Sequence, residues 1–378
     1  MPGKNNVEKA RQLGQSIWLD FISREILDNG ELKRLVELGV AGVTSNPTIF
    51  EKSISSGSLY DADLLAFARR GDDSLAIYEG LALNDIARAA DILLPVYERT
   101  GGADGFVSIE VNPGLAHDTA ATIAEARRLS RALARKNILI KVPATPEGIP
   151  AIRTLIGEGI SVNVTLIFSL DAYKLVAEAY VDGLEDYQES GKKHLARISS
   201  VASFFVSRVD TIADKLLGEV AAARTDDARR LKGTIAIANA RLAYQEYKRI
   251  FGSARFKELA KSGARTQRTL WASTSTKNPA FPDTLYMDEL MGPETVNTVP
   301  PATLDAFLDH GKIADRIGHD PDEARANLAR LRELGVSYEA MTAELVRAGV
   351  KAFADSFDSL IKNIEKKRAA LLAGSGAR

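Results

Sequence analysis

Short apolar runs that alternate with longer segments of helical periodicity predict an α/β fold, closed as a (β/α)8 TIM-type barrel. Two further observations support closure. Eight such runs can be counted, and the polar residues inside them fall on one parity near their C-terminal ends, where a barrel assembles its active site. An open doubly wound sheet is the competing arrangement. With 378 residues, 45% hydrophobic and 26% charged, the chain has soluble globular composition and the length for one large barrel or two modest domains. No internal repeat or long low-complexity linker divides it, so one domain over residues 1–378 is expected, with flexible termini at about 1–15 and 373–378.

The strand-like runs are residues 16–22, 39–46, 105–111, 137–142, 160–168, 198–206 and 269–273, with a weaker eighth at 295–299. Helical spacing follows most of them, as in Leu170, Tyr173, Val176, Ala177, Tyr180 and Leu184. Thr145 can cap a helix opening with Pro146 and Glu147, and Ser169 with Asp171 precedes the next one. Residues 51–104 and 211–265 are too long for bare βα units and predict additional helices outside the barrel. After Thr303 the chain reads as helical to about residue 370, including 324–334 and 338–372, a C-terminal region expected to pack across the barrel.

Composition removes several classes of function. Lys and Arg number 49 against 50 Asp and Glu, a net charge of -1, so no field of one sign recruits nucleic acid or an anionic membrane. The absence of cysteine excludes disulfides, thiolate metal sites and thiol catalysis. His117, His194, His310 and His319 are scattered without metal-ligand spacing, so no metal is expected. The first residues lack a signal-like apolar core and no apolar stretch reaches about 18 residues. A cytoplasmic enzyme without a cofactor is the expectation.

Lys141 is the residue that demands explanation, one basic side chain within the apolar run 137–142. The plain reading is a strand lysine that reaches solvent or pairs with a carboxylate. Parity supplies a sharper one. Lys141 shares a face with Leu139, while Ile138, Ile140 and Val142 point toward covering helices. Likewise Trp18 falls with Asp20, Thr44 with Asn46, Ser108 with Glu110, and Asn163 with Thr165. A desolvated amine among such groups can condense with a ketone, and the iminium then serves as an electron sink for making or breaking a carbon-carbon bond. Asp20 and Glu110 are candidate proton movers, Asn46 and Asn163 can hold substrate hydroxyls, and Thr165 can orient a water. Hydroxyls and fixed cations for a phosphate occur at Ser203 and Arg208, and in the loop Ser273-Thr274-Ser275-Thr276-Lys277-Asn278.

Those residues lie in segments whose order and spacing resemble the transaldolases across nearly the whole chain: Trp18-Leu19-Asp20, Gly42-Val43-Thr44-Ser45-Asn46-Pro47, Ser108-Ile109-Glu110-Val111, Ile138 through Thr145, and Asn163 through Ser169. The resemblance implies a class I aldolase-type barrel with Lys141 as the Schiff-base residue for fructose 6-phosphate or sedoheptulose 7-phosphate. It further implies Asp20 as acid/base at the C4 hydroxyl, Glu110 acting with a water near Thr165, and Asn46 and Asn163 as hydrogen-bond partners of substrate. Ser203, Phe205 and Arg208 match a Ser-x-Phe-x-x-Arg segment, of which Ser203 and Arg208 would bind phosphate. The implied reaction transfers a dihydroxyacetone unit from sedoheptulose 7-phosphate to glyceraldehyde 3-phosphate, giving erythrose 4-phosphate and fructose 6-phosphate in the pentose phosphate pathway. The expected partners are small sugar phosphates, with no nucleic acid or membrane, and the expected state is a monomer or homodimer.

The sequence departs from the family at one place. Many transaldolases carry Ser-Phe-Arg in the loop after strand seven; here Ser273 carries over, the second phosphate cation does not map, and Lys277 is its candidate replacement. The motifs Tyr286-Met287-Asp288-Glu289-Leu290 and Asn297-Thr298-Val299-Pro300 resemble a longer transaldolase subgroup, without implying a role. Three alternatives stand beside this reading. A fructose 6-phosphate aldolase would be shorter and carry Gln at the place of Glu110, a deoxyribose phosphate aldolase would need a second active-site lysine, and a silent sugar-phosphate binding barrel would not need Lys141, Asp20 and Glu110.

Overall fold

A computed structural model describes residues 3–220 and 225–375 of the chain. Eight parallel strands close in sequence order into a barrel: β1 (Gln15–Leu19), β2 (Gly42–Val43), β3 (Phe106–Glu110), β4 (Ile138–Pro143), β5 (Val162–Ile167), β6 (Ser200–Phe205), β7 (Arg268–Ala272) and β8 (Thr295–Val299). All parallel strands need cover on both faces, and nearly every strand residue is buried. The doubly wound alternative is thereby excluded, because β1 pairs with β8 over its whole length.

Parity sets the interior. Trp18 points inward, where its ring leaves no room for a side chain on β2; a Cβ at Gly42 would lie 2.5 Å from the indole. Above it the interior turns polar, and below it Asp104 collects Trp18 and Ser16 into a hydrogen-bonded floor.

The strand expected at 39–46 is only two residues long. Asn46 caps the helix Pro47–Ser55, accepting from Ile49 N at 3.0 Å, so residues 44–46 are already its entry turn. The helix expected from Pro146 begins at Gly148 (Gly148–Glu158), although Thr145 Oγ1 does accept from Gly148 N at 3.0 Å. Ser169 caps Leu170–Glu189 as expected.

The two long connections carry helices. Between β2 and β3 lie Pro47–Ser55, Asp61–Arg69 and Ser74–Arg99, and between β6 and β7 lie Ser207–Val220, Thr225–Leu231, Ile235–Phe251 and Ala254–Lys261. After β8 come Pro301–His310, Pro321–Glu333 and the 38-residue helix Tyr338–Ser375. That last helix lies across the C-terminal mouth of the barrel. Thr48 bonds Ser356 at 2.9 Å, Asn363 bonds Ser55 at 3.0 Å, and Gly349 lets the helix settle onto Leu166, whose methyl carbon a Cβ there would approach to 2.9 Å.

A flexible start was expected through residue 15. Instead Asn6–Gln12 is a helix with a capping box on Asn5 and Glu8, buried Val7 and Ala10, and Asn6 bonded to Phe307 O at 2.7 Å. Residues 1–2 and 376–378 of the expected tails lie outside the described residues. Among the described residues no helix is long and apolar enough to cross a membrane.

Candidate active site

Barrel closure brings the sequence-singled residues to one end. Glu110 stands opposite Lys141 in the β3/β4 register, and Lys141 opposite Asn163 in the β4/β5 register. Asp20 follows β1 and keeps to the barrel ladder by donating from its backbone to Val299 O. Thr165 lies within the register irregularity of β5 between Val164 and Ile167, with Leu166 in the left-handed region at φ +60. Ser203 and Phe205 come from β6, Arg208 opens the following helix, and Ser273 leaves β7.

Lys141 is 5% exposed, and its Nζ donates to Ser45 O at 3.1 Å and lies 3.4 Å from Glu110 Oε2. The plain reading of a lysine paired with a carboxylate is therefore correct in part, but the pair is buried at the barrel mouth, not on the surface. Ser45 is held in turn by its hydroxyl, which donates to Ser108 O at 2.7 Å. Beside the lysine runs a fixed chain: Ser203 Oγ donates to Asn163 Oδ1 at 2.7 Å, and Asn163 Nδ2 donates to Ser108 Oγ at 3.0 Å. Ser203, expected at the phosphate end, thus has its hydroxyl engaged in orienting Asn163. Asp20 Oδ1 accepts from Thr44 Oγ1 at 2.7 Å, and Thr44 shares a 2.7 Å contact with Thr298 Oγ1.

Thr165 Oγ1 is buried here without a hydrogen-bond partner, and Glu110 Oε2 has only its ion pair with Lys141 at 3.4 Å. Unpartnered atoms also occur elsewhere in the barrel, at Gln15 Oε1 and Gln267 Oε1 among others; what distinguishes these two is that they stand beside a buried amine. The two carboxyls share that character. Burial raises the Asp20 pKa above its ordinary value against the pull of Lys141, the Thr44 hydrogen bond, Arg208 and Lys277. Burial likewise raises Glu110, with Lys141 opposing and Asp20 adding to the rise. Two acids that resist ionisation beside an amine can each give and take a proton.

A cavity of about 190 Å³ opens above these groups, lined by Asp20, Thr44, Lys141, Thr165, Ser203, Phe205 and Arg208, and closed by Ser273, Ser275 and Lys277. The cations gather at one side. Burial lowers the Arg208 pKa, opposed by Asp20 and Glu110, and Lys277 is lowered by burial and by the nearby Arg208 and Lys52. Among the described residues neither Arg208 nor Lys277 is ion-paired to a carboxylate, although Asp20 acts on both, and two such cations side by side suit an anion. Lys277 itself is exposed and donates to Ser275 Oγ at 2.6 Å. Asn46 does not line this cavity, and its Oδ1 is committed to the helix cap. Among the described residues no group of three His, Cys, Asp or Glu side chains is placed to hold a metal ion.

Phe353 is the residue that strand reasoning missed. It comes from the C-terminal helix, is 4% exposed, and faces both Lys141 Nζ and the Arg208 guanidinium, each 5.8 Å from its ring centre. In the sequence it is one apolar position among many on a helix, 212 residues from Lys141, and only the crossing of that helix brings it here. Thr298 and Ser45 were also missed as site residues, although both lay in segments already singled out.

The family described as Transaldolase/Fructose-6-phosphate aldolase matches residues 17–364. A transaldolase of Trichodesmium erythraeum is 46% identical over 371 residues, covering 96% of this chain and 97% of that one. One from Thermobifida fusca is 49% identical, covering 96% and 98%. Transaldolase 1 of Streptomyces avermitilis is 50% identical over 374 residues, covering 98% and 97%. With a family match over most of its length and relatives this similar end to end, the chain belongs to the transaldolase/fructose-6-phosphate aldolase family.

Proposed function

We propose that the chain is a transaldolase that carries a three-carbon dihydroxyacetone unit on Lys141. Lys141 Nζ attacks the C2 carbonyl of sedoheptulose 7-phosphate. Glu110, through a water seated by Thr165 Oγ1, supplies the proton with which the carbinolamine loses water to become an iminium. Asp20 then takes the proton of the C4 hydroxyl, the C3–C4 bond breaks, and its electrons enter the iminium as an enamine while erythrose 4-phosphate leaves. The enamine adds to the aldehyde carbon of glyceraldehyde 3-phosphate, Asp20 returns its proton to the new hydroxyl, and hydrolysis frees fructose 6-phosphate and Lys141.

The observation that carries this reading is a nearly dry lysine flanked by two carboxyls of raised pKa, with Glu110 Oε2 held only by that lysine and Thr165 Oγ1 unpartnered beside it. Asn163, held by Ser203 and Ser108, orients the ketose hydroxyls, and Asn46 offers its amide nitrogen. Arg208, Ser273 and Lys277 receive the phosphate, while Phe205 and Phe353 exclude water from the enamine. A cytoplasmic setting belongs to the same reading.

An aldolase of the same family would release free dihydroxyacetone, and the carboxylate at Glu110 favours the transferase. A coupled assay with sedoheptulose 7-phosphate or fructose 6-phosphate decides: turnover should require the aldose phosphate acceptor, and acceptor-independent turnover at a comparable rate rejects the transferase. Borohydride with fructose 6-phosphate should add a dihydroxyacetone-derived mass to the peptide holding Lys141; labelling elsewhere removes Lys141 from its role.

A further inference from the structure

The motif Tyr286 to Leu290 has no part in the mechanism above, yet it lies behind the two cations assigned to phosphate. Those cations sit on separate segments. Arg208 is on the second residue of Ser207–Val220, and Lys277 is on the loop between β7 and the short helix Leu285–Glu289. Lys277 is exposed, and its Nζ contact to Ser275 stays within its own loop, so its position follows from how that loop is fastened.

The fastening runs to the Arg208 helix at two places. At the near end Ser207 N donates to Ser273 O at 3.0 Å and the two side-chain hydroxyls meet at 2.9 Å. At the far end Tyr286 OH donates to Asp210 Oδ2 at 2.8 Å, while Asp210 Oδ1 accepts from Ala236 N at 2.7 Å. One turn further along, Asp214 accepts from Gly233 N, and the Phe281 ring from the Lys277 loop packs directly on that glycine, where a Cβ would lie 2.7 Å from the ring. Thr276 Oγ1 closes the loop on itself by donating to Pro282 O at 2.9 Å.

Asp210 and Tyr286 are 3% and 2% exposed, and among the described residues no cation pairs with Asp210. A buried carboxyl without a cation is an expensive way to hold two segments together; apolar packing would serve stability as well. What it supplies is direction, since a hydrogen bond fixes distance and angle where apolar contact does not. We infer that Asp210 and Tyr286 are positioning residues that set the spacing of Arg208 and Lys277, and through it the preference for phosphorylated over unphosphorylated sugars. This rests on the phosphate reading of Arg208 and Lys277.

The test measures borohydride trapping on Lys141 without acceptor, using fructose 6-phosphate and fructose as separate donors, and takes the ratio of the two trapping efficiencies. Arg208→Ala is the reference and should lower that ratio at least about tenfold, the loss of a charged contact. Tyr286→Phe keeps the ring and removes the donor, and should lower the ratio about fivefold, as for one lost hydrogen bond. If Arg208→Ala leaves the ratio unchanged, the phosphate reading fails and the inference with it. If Arg208→Ala lowers the ratio but Tyr286→Phe leaves it unchanged, or weakens both donors equally, the inference alone is overturned. Should Tyr286→Phe not fold, Asp210→Ala and Asp210→Asn decide instead. The alanine should lower the ratio and the asparagine, which retains an acceptor for Ala236 N and a polar partner for Tyr286, should recover it; equal losses overturn the inference.

Discussion

The two ends of the barrel use the same strands and the same inward parity to opposite effect. At the N-terminal end Asp104 accepts from Ser16 at 2.6 Å, from the Trp18 indole at 3.0 Å and from Arg268 at 2.9 Å, and Arg268 also reaches Ser16 and Ala103 O. Within that cluster each of these four side chains is bonded, although Gln15 Oε1 and Gln267 Oε1 at the same end are buried without a partner. At the C-terminal end Thr165 Oγ1 has none, Glu110 Oε2 has only Lys141 at 3.4 Å, two carboxyls are raised by burial, and Arg208 and Lys277 stand near one another with Asp20 close to both. A completed network lowers energy by being finished, whereas an incomplete one keeps its capacity for a ligand. On β1 the change takes two residues, from Trp18 in the floor to Asp20 in the mouth.

The difference predicts which property each end controls. Lys141→Ala should reduce transfer by a factor on the order of 10⁴ or more and abolish borohydride trapping, as removal of a covalent nucleophile does. Its unfolding transition should remain cooperative. Persistence of trapping at another lysine would break the comparison outright. Asp20→Asn and Glu110→Gln come next, each lowering kcat by about 10²–10³, the share of a positioned proton mover. Steady-state assays with both substrates saturating check this; losses under tenfold would mean that these carboxyls serve binding.

Arg268→Ala tests the other end. It leaves Asp104 with an unpaired charge in a largely enclosed floor and should cost about 2–4 kcal/mol in urea unfolding, with kcat of the folded enzyme within about twofold of the parent. A kcat loss comparable to that of Asp20→Asn would show that the floor takes part in catalysis.

How much of this contrast was readable beforehand differs by level. Strand number and order followed from apolar runs that must be covered on both faces, and the site followed from period two, because Asp20, Glu110, Lys141, Asn163 and Thr165 needed only parity and a shared end. Parity could not say which of them touch. The 3.4 Å approach of Glu110 to Lys141 depends on register across β3 and β4, and Ser203 was read with Arg208 although its hydroxyl meets Asn163. The short β2 was overextended because only Thr44 and Ser45 separate its apolar residues from Asn46-Pro47, a helix start. Asp210 and Tyr286 lie on helices 76 residues apart, and no local pattern pairs them.

Phe353 is the sharpest case of what local pattern leaves out, and it carries a smaller prediction. Phe353→Ala should open the mouth to water, lower transfer about tenfold or less, and raise acceptor-independent release of dihydroxyacetone, because the enamine is then protonated before an acceptor arrives. A product assay with and without erythrose 4-phosphate reads both quantities. An unchanged ratio of transfer to release would assign the ring to packing of the C-terminal helix alone.

The smallest effect concerns a carboxyl at the edge of the comparison, buried like the floor acid but lacking its arginine. Burial pushes the Asp210 pKa up to about 7, with Asp214 adding to the rise and the Tyr286, Ala236 and Ile235 hydrogen bonds opposing it. Lys232 faces Asp214, the neighbour on the same helix. In an unfolded chain the group titrates near about 3.9, so between these values the folded state holds a proton that the unfolded state has released. Its contribution to stability is therefore complete below about pH 4 and lost as pH rises through about 7, at most about 1.4 kcal/mol of it between pH 6 and 8. Asp20 and Glu110 shift in the same direction, so the parent profile alone is a sum. Subtracting the profile of Asp210→Asn isolates the one group: the parent should lose stability relative to the variant over that interval, by urea unfolding at matched ionic strength. A difference that stays flat, or rises with pH, would remove Asp210 from the groups that hold a proton in the fold.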